Sequence, residues 1–196
     1  MSLNFENFPG NREVKKDLSI AFDAGRFPHA ILLEGAPGSG TDLLSGILAK
    51  AAVCLSKAGC PCGHCAGCIK AAAGSHPDIL TLNGDENPKV FPVEVIREIR
   101  SGASILPNEA PRKVYRLLGV QNMAEPAQNA LLKVLEEPPE NVLFLLTATS
   151  AAALLPTIRS RVQIFTLEDG TPPEEGRKEA AAIARAVAAP GEAELL

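Results

Sequence analysis

One stretch limits the fold more than any other. Ala30-Ile-Leu-Leu-Glu34 is a short apolar run bounded by turn residues, as a buried strand requires. It leads into Gly35-Ala-Pro-Gly-Ser-Gly40-Thr41-Asp42, and a helix-forming segment follows from Leu43 to Cys54. Strand, glycine-rich turn and helix in that order is the context of a phosphate-binding loop. It commits the chain to an α/β fold.

The loop itself departs from that motif. Gly-x-x-x-x-Gly-Lys-Ser/Thr is required, and Gly35 and Gly40 are in place. Thr41 stands where the lysine belongs, so nothing neutralises the β and γ phosphates. Asp42 stands where the magnesium-binding hydroxyl belongs and is expected to set a negative charge beside a triphosphate. The next test is the strand candidate Lys113-Val-Tyr-Arg-Leu-Leu-Gly119-Val-Gln-Asn122. An ATPase of this kind ends such a strand in acidic residues that hold magnesium. Here it ends in Leu117, Leu118 and Gly119, with no carboxylate before Glu125. Both halves of the ATP chemistry are missing together. The loop reads as kept for its fold, with no ATP expected as cofactor. The alternative is a nucleotide site with unusual ligands.

All five cysteines lie between Cys54 and Cys68: Cys54, Cys60, Cys62, Cys65 and Cys68. So tight a cluster in an otherwise cysteine-free chain argues against structural disulfides. Cys62-x2-Cys65-x2-Cys68 has metal-ligand spacing, and Gly63 and Gly67 let the loop turn three thiolates inward. A soft tetrahedral Zn2+ needs a fourth ligand, from Cys54 or Cys60. Only one proline separates Cys60 from Cys62, which makes it awkward for both to bind one ion. His64 and His76 are nearby alternatives, and a redox pair is the competing chemistry. The expected zinc is structural, since a catalytic one needs an open position and a base.

The remaining elements alternate. Strand candidates are Asp78–Leu82, Val142–Thr147 and Val162–Thr166. Helices are expected over Glu13–Ala24, along the face Val93, Ile96, Ile99 and Ala103, and over Ala124–Glu137 with Ala127, Leu131 and Leu135 in register. Five strands alternating with helices predict a parallel five-stranded sheet covered by helices. With aromatics at 4% and no Trp, the core must be aliphatic. A formal charge of -4 and a pI near 5.5 exclude a free-standing, strongly basic nucleic-acid binder. No apolar stretch reaches the ~20 residues of a membrane span, and no secretory leader is visible, so the expected compartment is cytoplasmic.

These segments resemble a known family. Phe27-Pro-His-Ala-Ile-Leu-Leu33, Cys62-Gly-His-Cys-Ala-Gly-Cys68, Ser75-His-Pro-Asp78, Asn129-Ala-Leu-Leu-Lys-Val-Leu-Glu-Glu-Pro-Pro139 and Ile158-Arg-Ser-Arg161 occur in its order. The chain is similar to the N-terminal AAA+ portion of the clamp-loader subunits of bacterial DNA polymerase III, and among them to the delta-prime branch. The resemblance implies an AAA+ P-loop-type sheet over 1–167 with a zinc module at 54–68. It implies a hinge and partial helical lid over 168–196, where composition already reads Glu168–Gly176 as an acidic, Pro/Gly-rich linker and Arg177–Ala189 as an Ala-rich helix. A C-terminal collar would be absent, so on this reading the chain is a monomeric fragment.

The resemblance implies a non-catalytic stator beside ATPase motor subunits and a delta subunit. Together they load the sliding clamp on primed DNA as part of the polymerase holoenzyme. Arg161 would be an arginine finger reaching ATP on the neighbouring motor subunit. Val162 replaces the cysteine of the family's Ser-Arg-Cys motif, and Arg159 is the fallback. The family's zinc ligands carry over as Cys54, Cys62, Cys65 and Cys68. The gap of seven residues between Cys54 and Cys62 is one shorter than usual, which keeps Cys60 as an alternative. Thr149 would occupy the sensor position, with only a packing or hydrogen-bonding role. Two other readings are a divergent clamp-loader motor of the gamma/tau kind and a stand-alone zinc-binding interaction module.

Overall fold

The computed structural model describes residues 2–5, 8–56 and 59–168. The hinge and helix expected beyond them lie outside the described residues. Five strands form one sheet: β1 (Ala30–Glu34), β2 (Ile79–Asn83), β3 (Lys113–Leu118), β4 (Val142–Ala148) and β5 (Gln163–Thr166). They stand in the order β2-β3-β4-β1-β5, and every pair is parallel. Helices are α1 (Arg12–Asp23), α2 (Thr41–Ala52), α3 (Ala66–Ala72), α4 (Val93–Ala103), α5 (Glu125–Glu136) and α6 (Pro156–Arg159).

Parallel strands covered on both faces must be apolar throughout. All seven residues of β4 are buried, as are the first four of β1. The edge strands β2 and β5 are largely open. On one face Leu32, Leu117, Phe144 and Leu146 pack with Ile96 and Ile99 of α4, Leu131 and Leu135 of α5, and Ile158 of α6. On the other, Ile31, Leu33, Val114, Leu143 and Leu145 meet Leu18 of α1 and Leu44, Ile47 and Leu48 of α2.

The core is mainly aliphatic, as expected, and among its buried aromatics Tyr115 and Phe144 meet at its centre. Tyr115 and Phe144 are partners in register across β3 and β4, and their rings stack at 5.2 Å. Two helices were not anticipated, α3 inside the cysteine loop and α6 before Arg161. The strand expected over Lys113–Asn122 stops at Leu118, where Gly119 turns into a 3-10 turn over Val120–Asn122. Thr41 and Asp42, read as loop, open α2, and Val162 lies just before β5.

Candidate functional site: a thiol cluster, an altered phosphate loop and a tethered arginine

Four cysteines converge. The Sγ atoms of Cys54, Cys62, Cys65 and Cys68 all lie within 4.8 Å of one another. Cys62 and Cys68 are 3.9 Å apart, and so are Cys54 and Cys65. A tetrahedral ion with ~2.3 Å bonds to sulfur separates its ligands by about 3.8 Å, so the residues fit a tetrathiolate site.

Local structure explains the convergence. Cys54 follows the C-terminus of α2. Cys65 is the N-cap of α3, its sulfur accepting from the Cys68 amide at 3.4 Å and from the Leu55 amide at 3.5 Å. Gly67 is needed where α3 crosses the end of α2, because a Cβ there would overlap the Val53 carbonyl oxygen. Its part is close packing inside α3, not the loop turning expected from sequence, because it lies in the helix without a positive φ. Gly63 turns the loop with φ +80°.

The thiols differ in acidity. Burial raises Cys65, but the two amides that donate to it win and bring it to about 6. Burial pushes Cys68 up to about 12, and the neighbouring thiols add to the rise. A bound cation would offset that burial cost and the mutual repulsion of four thiolates.

Cys60 stands outside the group. It is 2% exposed, its thiol donates to the Ser56 carbonyl at 3.5 Å, and burial pushes it to about 11. Its backbone is bridged to the N-terminal segment, with Cys60 N–H donating to Ser2 and Asn4 N–H donating to Cys60. His64 turns its Nδ1 to the Cys62 carbonyl at 2.9 Å. His76 is buried, its Nδ1 accepting from the Asp78 amide at 3.0 Å. Neither histidine belongs to the cluster.

At the glycine loop, Gly40 caps α2. A cavity of about 260 Å³ remains there, lined by Gly35, Thr41, Asp85, Thr147 and Thr149 among others. Asp42 does not present a free charge to this cavity, contrary to the sequence expectation. Arg116 reaches from β3 to the Asp42 carboxylate, and it also donates to the Asp42 carbonyl at 2.9 Å and to Ser45 Oγ at 2.8 Å. The negative charge at the loop comes instead from Asp85, just beyond β2, which sequence reading passed over.

Gly119 stands where an acid was sought. A Cβ there would overlap the Asp85 carboxylate, so no side chain fits without displacing it. Leu118 is buried. Thr149 is exposed, its amide donating to Gln121 Oε1 at 3.4 Å. The buried hydroxyl is that of Thr147, which accepts from the Gly119 amide at 3.0 Å.

Arg161 is one-third exposed. One of its terminal nitrogens meets Glu136 Oε1 at 2.7 Å. The other donates to the Thr157 carbonyl at 2.7 Å and to Ser160 Oγ at 3.1 Å. Arg159 is exposed. Sequence reading missed Arg116 and Glu136; a lone arginine inside an apolar strand was the available signal for the first.

The family of the chain follows from comparison. A family model described as "DNA polymerase III, delta subunit" matches residues 10–171. The chain belongs to this family. Its relatives include the DNA polymerase III subunit delta' of Haemophilus influenzae, 36% identical over 82% of this chain and 49% of the relative. The delta' subunit of Escherichia coli is 34% identical over 86% of this chain and 50% of its own length. The DNA polymerase III subunit tau of Bacillus subtilis is 36% identical over 82% and 28%. The chain thus spans about half the length of the delta' relatives it matches.

Solved structures agree on the fold. A gamma subunit-related protein of Thermotoga maritima superposes with a TM-score of 0.53 at 24% identity, covering 77% of this chain and 44% of that one. The Thermotoga maritima Holliday junction branch migration motor gives 0.55 at 20% identity, covering 94% and 53%. The sheet is of the AAA+ type. No helix among the described residues is long and apolar enough to cross a membrane.

Proposed function

We propose that the chain is the N-terminal part of a delta-prime-type stator in the DNA polymerase III clamp loader. It does not hydrolyse ATP; it holds an AAA+ shape and offers Arg161 in trans to ATP bound by an adjacent motor subunit. In the complete assembly it works beside the ATPase and delta subunits to load the sliding clamp on primed DNA.

The observation that carries this reading is the state of the glycine loop. Position 41 has no cation, Asp42 is engaged by Arg116, and Asp85 occupies the space an acid at 119 would need. Identity does not separate the branches, since delta' and tau relatives both reach 36%. The loop chemistry does: a gamma/tau-like motor needs the lysine and the acids. Cys54, Cys62, Cys65 and Cys68 would hold one Zn2+, which supplies cross-linking of the α2–α3 corner and no reaction step.

The test is Arg161→Ala in the full-length protein within a reconstituted complex. The motor subunits should have their own finger arginines removed, so that only the site facing this chain turns over. A finger arginine is worth roughly 10³-fold in turnover, and a loss of that order is expected. Unchanged hydrolysis would sink the reading.

A further inference from the structure

We propose that Glu136 is a positioning residue that fixes the guanidinium of Arg161 for its neighbour's ATP. The inference rests on the finger reading and deepens it.

Glu136 is the last residue of α5, and the backbone that carries it is held from both sides. His29 Nε2 donates to the adjacent Leu135 carbonyl at 3.2 Å, and the Glu137 amide donates back to Lys133 at 3.2 Å. Leu135 itself is 2% exposed. The backbone held here fixes where the Glu136 side chain starts, within reach of Arg161.

Arg161 stands after α6, a helix of only four residues, and its long side chain needs an external reference. Glu136 takes one terminal nitrogen at 2.7 Å, while Thr157 and Ser160 take the other. Three of the five guanidinium N–H donors are then used and two remain for a phosphate oxygen.

The pair is too exposed to matter much for stability, with Glu136 at 44% and Arg161 at 33%. Its consequence is geometric. A preorganised donor stabilises developing charge without reorganising at the moment of reaction. Arg159, two residues earlier on the same turn, has no such tether among the described residues.

The experiment uses the complex described above, in which only the facing site turns over. Glu136→Ala should lower kcat about tenfold, with the KM for ATP within twofold and complex assembly unchanged. Glu136→Gln keeps an acceptor oxygen and should recover most of the rate. The double variant Glu136→Ala/Arg161→Ala should be no slower than Arg161→Ala alone, because both act through one group. If Glu136→Ala leaves kcat unchanged or raises it while Arg161→Ala lowers it, the finger stands and the positioning role is overturned. If Arg161→Ala has no effect, the finger reading fails and this inference falls with it.

Discussion

Asp78 is a charged residue held by several donors at once. It is 1% exposed, and its carboxylate accepts from the amides of Asn108, Glu109 and Ala110 at 2.6, 2.9 and 2.9 Å and from Asn108 Nδ2 at 3.0 Å. Burial alone would raise its pKa, but these donors win and hold it below the usual carboxylate value. Asp78→Ala leaves buried donors unsatisfied and should cost about 3 kcal/mol in urea unfolding. The sign with pH follows from a depressed folded-state pKa. The contribution is complete above the unfolded value of about 4 and is lost as pH falls through the lower folded value. The stability gap between wild type and Asp78→Asn should therefore narrow on acidification; a gap that stays constant would contradict this. None of it was legible in the sequence. Asp78 was read as a strand start and as part of a family string, and its buried bonds could not be read because their partners lie 30 or more residues away. Asp42 shows the same limit. Its mismatch to the motif could be read at once, whereas its pairing with Arg116 spans 74 residues.

Elements were legible in proportion to length and burial. The central strands β1 and β4 were legible because their apolar runs are nearly continuous, as a sheet covered on both faces requires, while β2, β3 and β5 were legible as short runs of alternating or mixed apolar residues. α3 was not, since seven residues containing glycine in a cysteine loop carry no periodicity, and its start is capped by a thiol. Cys62, Cys65 and Cys68 were legible from spacing, and Cys54 was preferred to Cys60 as the fourth thiol on the family resemblance; the structure groups Cys54 with the three and ties Cys60 to the N-terminal segment. Cys54→Ala or Cys68→Ala should abolish stoichiometric zinc, while Cys60→Ala should keep one zinc per chain by atomic absorption. Gly67→Ala pushes α3 from the end of α2 and should weaken zinc binding about tenfold in chelator competition. Chelation should expose amides from Cys54 to His76 to hydrogen exchange and leave β1, β3 and β4 protected. Uniform loss of protection across the sheet would mean that the corner and the sheet are one cooperative unit.

At the scale of the molecule, the chain is on the proposed reading an AAA+-type sheet whose glycine loop departs from the nucleotide-binding pattern at separate places. Thr41 removes a cation, Arg116 occupies Asp42, and Asp85 fills the space at Gly119 and adds negative charge to the cavity. The losses act together, so restoring one should restore little. Thr41→Lys alone is expected to leave ATP binding undetectable, which equilibrium dialysis can check. On the proposed reading, what remains for function is the shape of the domain and Arg161, tethered by Glu136, Thr157 and Ser160. The central claim is that the glycine loop survives as architecture only. The most direct test is titration calorimetry of the purified chain with ATP and Mg2+, with sulfate as the control anion. The account predicts no heat for ATP beyond that of sulfate. Saturable, stoichiometric ATP binding would contradict it and return the chain to the motor subunits.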